Sequence, residues 1–64
     1  MKVNVELLPS GNWYLRRYRN GVVTILEPVE MRRIFGVPTE RALHRAYDKK
    51  GKPIEVNLEM EIIG

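Results

Sequence analysis

Cysteine and glutamine are missing from this 64-residue chain, and histidine, serine, aspartate, tryptophan and phenylalanine each occur once. Without cysteine there is no disulfide and no thiolate metal site. A lone His44 cannot assemble a zinc site, which needs three or four protein ligands. Ser10 lies in the turn-like stretch "PSGN", with no partners for a nucleophilic triad. A carboxylate pair would have to come from the glutamates of "EVNLEME", which alternate as the wet face of a strand. The five glycines, at 11, 21, 36, 51 and 64, are scattered and form no phosphate-cradling loop. The chain reads as a non-enzyme that needs neither metal nor cofactor.

Long apolar runs are also lacking. Nothing approaches the ~20 residues of a membrane span. The opening "MKVNVELLPSG" has no uninterrupted apolar stretch of the signal-peptide kind. The expectation is a cytoplasmic protein with no membrane partner. Residues 1–64 make one small domain, and a chain of this size buries only ~60% of its unfolded surface. With disulfide and metal excluded, oligomerisation is the remaining support, and a homodimer is expected.

What is abundant is positive charge, unevenly spread. The net charge is +3, yet residues 13–52 carry ten basic and four acidic side chains, while residues 53–64 carry only three glutamates. Such asymmetry points to a polyanion, nucleic acid above all. The stretch "NWYLRRYRNG" interleaves Trp13, Tyr14 and Tyr18 with Arg16, Arg17 and Arg19. Alternation along a strand sends Trp13, Leu15, Arg17 and Arg19 one way and Tyr14, Arg16 and Tyr18 the other. Neither face can be wholly buried with that content, so one must meet solvent or a ligand.

The periodicity predicts an α+β domain, mostly β with one or two short helices. "KVNVEL" alternates as a half-buried strand. "WYLRRYR" reads as a second strand, Asn20–Gly21 as a hairpin turn, and "VVTIL" as a third strand. "EPVEMRRIFG" predicts a helix of about two turns, with Pro28 near its start, Gly36 at its end and Val29, Met31, Ile34 and Phe35 as its apolar stripe. That leaves Arg32 and Arg33 on or near the exposed side. "TERALHRAYDKK" has helical spacing, with Thr39 as a possible N-cap and Gly51 as a stop. The competing reading of that segment is a strand, "ALHRAYD", turning at "KKGK". "PIEVNLEMEII" alternates without ambiguity from Ile54 to Ile62.

"GVVTILEPVEMRRIFGVPTERAL", residues 21–43, resembles the SpoVT/AbrB-type DNA-binding domain. Gly21, Val23, Ile25, Pro28, Glu30, Met31-Arg32-Arg33, Phe35-Gly36 and Val37 fill that family's pattern. "YLRRYRN" resembles its basic strand and "DKKGKPIEVNLEM" its closing hairpin, so the similarity covers roughly residues 13–60. The resemblance implies an intertwined swapped-hairpin barrel dimer that regulates transcription, with Arg16 or Arg17 and Arg32 and Arg33 at the DNA. The rival architecture is a β-hairpin plus helix-turn-helix, "PVEMRRIFG" then "VPT" then "ERALHRAYDKK" as recognition helix.

Both architectures lead to a sequence-selective, double-stranded-DNA-binding regulator, with Arg16, Arg17, Arg19, Arg32 and Arg33 as DNA-binding residues. Arg45 separates them, being neutral in the barrel and costly to lose from a recognition helix. Two other classes stay open. One is a protein-interaction module, such as an antitoxin or a small viral effector, using "IEVNLEME". The other is a single-stranded nucleic-acid binder stacking bases on Trp13, Tyr14 or Tyr18.

Overall fold

A computed structural model describes residues 1–59. Among the described residues, four antiparallel strands and two helices give an α+β fold. Strands β1 (Lys2–Leu7), β2 (Trp13–Arg17) and β3 (Val23–Leu26) follow one another, then helices α1 (Pro28–Phe35) and α2 (Val37–Lys50), then strand β4 (Ile54–Asn57). The sheet order is β3-β2-β1-β4, so β4 returns to pair with β1, and β3 and β4 form the edges among the described residues.

Alternation decides which side of the sheet is dry. Val3 and Val5 of β1, Trp13 and Leu15 of β2, Leu26 of β3 and Ile54 of β4 point to one side. There they close a core with Met31 of α1 and Leu43 of α2. Both helices therefore cover the same face. The other face carries Asn4, Glu6, Tyr14, Arg16, Val23, Ile25 and Glu55, in register across the four strands.

The turns follow local chemistry. Gly11 donates to the Leu8 carbonyl at φ 92°, closing the first hairpin. The Asn20–Gly21 turn forms as expected, but β2 stops at Arg17 and β3 starts at Val23, so the connection is longer than a two-residue turn. Asn20 Oδ1 accepts from the Val22 amide at 3.0 Å, the self-capping habit of asparagine in turns. Residues 39–50 are helical and the strand reading of "ALHRAYD" does not occur. Helix α2 also starts earlier than expected, at Val37, so Thr39 is not its cap. Pro38 sits in the first turn, where a missing N–H leaves no hydrogen bond unmade. Gly51 closes the helix in the left-handed region, its amide on the Tyr47 carbonyl.

Helix α1 departs from its expected stripe. Met31 is buried and Phe35 half-buried, but Val29 and Ile34 face outward. One residue, Gly36, joins the helices at φ 93° and ψ 155°. That conformation is open to glycine and strained for any other residue. The regular alternation read over Met60 and Ile62 lies outside the described residues.

Candidate nucleic-acid interface

The five arginines expected to share one surface do not share one. Arg16 lies on the open face of the sheet, between Asn4 of β1 and Val23 of β3. It borders a shallow depression of about 320 Å³ with Asn4, Glu6, Tyr14 and Pro53. Arg17 turns to the helix side and is half-buried at the strand's end. Arg19 is exposed in the β2–β3 turn. Arg17 and Arg19 line a larger hollow of about 530 Å³ with Met1, Lys2, Tyr18 and Asn20.

Arg32 has a structural partner. Its Nη1 lies 3.1 Å from Oε1 of Glu40, and Trp13 Nε1 donates to Oε2 of the same carboxylate at 3.2 Å. Glu40 is 5% exposed, the one buried charged residue among those described. It ties β2, α1 and α2 together. Burying a carboxylate is costly unless it is paired and hydrogen-bonded, and the Trp13 and Arg32 donors meet that need. His44 of α2 packs edge-on against the Trp13 ring at 4.8 Å between centroids. Arg33 is exposed and 3.9 Å from Glu30, a surface pair of small energetic weight.

Trp13 is fully buried, so it offers no base a stacking platform. Tyr14 is half-buried on the open face and Tyr18 is exposed. That face is nearly balanced in charge: Lys2 pairs with Glu55 at 3.4 Å, and Glu6 sits near Arg16 in the depression.

The concentrated positive charge lies elsewhere. Arg41, Arg45 and Lys49 occur at i, i+4 and i+8 on α2 and are all exposed. Residues 41–52 hold five basic residues and one acidic, Asp48, a net +4 in a chain of +3. Because α2 packs its inner side on β1 and β4, this stripe points away from the sheet. It spans about 12 Å along a helix whose ~10–12 Å diameter the ~12 Å-wide major groove of B-DNA admits. The spacing "RALHRAYDK" carried this signal in the sequence, but it exists only if the segment is helical. Among the described residues no helix is long and apolar enough to cross a membrane, and no group of three or more His, Cys, Asp or Glu could hold a metal ion. No family model, no curated protein and no solved structure matches the chain.

Proposed function

We propose that this protein binds double-stranded DNA through the outer face of α2, as a sequence-selective transcriptional regulator working as a dimer. The carrying observation is the exposed Arg41–Arg45–Lys49 stripe on a helix that follows another across a one-residue joint. Lysine and arginine on such a face neutralise phosphates and release counterions, which provides affinity. Arginine can also read guanine edges bidentately. The helical state of residues 37–50 favours a helix over the swapped hairpin at the duplex, although the expected turn "VPT" is helical and the one-residue joint at Gly36 is shorter than the three- to four-residue turn of a helix-turn-helix. In this reading Arg33 assists at the backbone and Arg32 acts through the fold. Arg16 cannot reach the same straight duplex as α2, because the sheet and the helix layer separate them.

Fluorescence anisotropy with a labelled duplex, at several salt concentrations, tests the reading. Arg41→Ala, Arg45→Ala and Lys49→Ala should each weaken binding and lower the salt slope by about one unit if the side chain holds a phosphate. A variant that instead costs ~1–3 kcal/mol on one sequence alone marks a base reader. If the triple alanine variant binds as the parent does, α2 is not the interface. Binding to a single strand of equal length should be weaker, since Trp13 is unavailable for stacking.

A further inference from the structure

Among the described residues, strand β3 is a sheet edge with no further strand beside it. Arg17 N donates to the Val22 carbonyl at 2.9 Å, which fixes the parity of the ladder. The even-numbered residues of β3 bond to β2, and the N–H and C=O groups of Val23 and Ile25 point out of the sheet. Natural proteins blunt such edges with lysine, proline, bulges or a covering element. The segment "VTIL" has none of the first three. The other edge is guarded: Pro53 precedes β4, and Glu55 stands exposed within it.

Apolar exposure is concentrated in the same stretch of chain. Among the described residues, five of the eight exposed large hydrophobics fall between Val22 and Ile34. Val23 is 43% exposed and Ile25 54% on β3, and α1, the helix packed on β3, adds Val29 at 59% and Ile34 at 46%. A strand edge with apolar flanks fits another strand, and a second β3 fits it in a closed, self-complementary way.

We infer that two copies of this chain pair β3 to β3 antiparallel about a two-fold axis at Thr24, forming one continuous eight-stranded sheet. Val23 of each copy then faces Ile25 of the other as a hydrogen-bonded pair. About four main-chain hydrogen bonds form, and the apolar side chains stack on the open face. Charge agrees with this register. Exposed Glu27 follows β3 and exposed Arg19 precedes it, so antiparallel pairing brings each Glu27 to the second copy's Arg19 turn. Pairing β3 to β4 instead would set Glu55 against the apolar edge and propagate as an open array rather than closing.

The symmetry has a geometric consequence that rests on the DNA reading, although the dimer itself does not. A two-fold axis normal to the sheet leaves both α2 helices on one side. Helix α2 packs over β1 and β4, the third and fourth strands from the axis. At ~4.8 Å per strand the two helices stand about 29 Å apart before twist. One turn of duplex, the usual half-site spacing, is ~34 Å.

Sedimentation equilibrium at micromolar concentration, without DNA, tests the pairing. The parent should have twice the chain mass of 7.5 kDa. Val23→Lys/Ile25→Lys puts like charges opposite each other twice and should raise the dimer dissociation constant at least about tenfold. Asn57→Lys, on the guarded edge, should leave it unchanged. Thr24→Cys supplies a second readout in a chain with no native cysteine. At a non-hydrogen-bonded pair the two Cα atoms lie ~4.5 Å apart, within disulfide range, so oxidation should give a covalent dimer, whereas Glu55→Cys should give none. A parent that stays a monomer overturns both the inference and the dimer reading. A dimer indifferent to the lysine variants, without the Thr24→Cys link, overturns the inference alone.

Discussion

Replacing Arg32 by alanine strands the Glu40 carboxylate, whose side chain is only 7% exposed. Removing one partner of a fully buried ion pair costs ~3–5 kcal/mol. The Arg32 side chain is 44% exposed, so water takes over part of its role, and about 2–3 kcal/mol is the expected loss. A core of this size supplies roughly 3–5 kcal/mol in total, so Arg32→Ala should sit near the edge of folding. Glu40→Gln behaves differently. The amide oxygen still accepts from Trp13 Nε1, but the amide NH2 then faces the Arg32 guanidinium donor to donor, so the ion pair is lost and Arg32 turns to solvent, at about 1–2 kcal/mol. In the double variant the buried site holds no charge, so it should be about 1 kcal/mol more stable than Arg32→Ala alone. Trp13 is the only tryptophan and is fully buried, so its fluorescence in a urea titration reports the whole transition. If Arg32→Ala lies within about 0.5 kcal/mol of the parent, the range of ordinary surface changes, and the double variant gains nothing, then Glu40 does not depend on Arg32.

Gly36→Ala should cost about 1–3 kcal/mol through backbone strain, because the nearest atom to an added Cβ is Pro38 Cδ at 3.7 Å and space is not the obstacle; thermal unfolding measures it. Leu15→Ala should cost roughly 2–5 kcal/mol as a core cavity, while Arg33→Ala, in an exposed pair, should stay within about 0.5 kcal/mol, both by urea titration.

Much of this fold is legible residue by residue. Val3, Val5 and Leu7 alternate with Lys2, Asn4 and Glu6, and only a half-buried strand satisfies that pattern. Asn20–Gly21 and the Pro28-to-Gly36 frame mark their turns and helix ends by backbone chemistry, which is local. What sequence reading missed is long-range. Glu40 is drawn inward because Trp13, twenty-seven residues earlier, aims an indole N–H at it, and nothing near Glu40 announces that. Arg32 is exposed as expected, but its bond to Glu40 could not be read for the same reason. Val29 and Ile34 looked like core, but a short helix packed on a sheet edge has less to cover them. The candidate site suffered most. Five arginines close in sequence are parted by strand alternation and the helix layer, whereas Arg41, Arg45 and Lys49 align only once the helix exists.

The central claim is that α2, and not the sheet, meets the duplex. Backbone amide chemical-shift mapping on titration with duplex DNA tests it most directly, since each residue reports separately. Perturbations concentrated at Arg41, Arg45, Lys49 and their helical neighbours are expected, with Tyr14, Arg16 and Ile25 unmoved. Shifts concentrated on Tyr14, Arg16 and Ile25, with α2 silent, would contradict it and move the interface to the open face of the sheet.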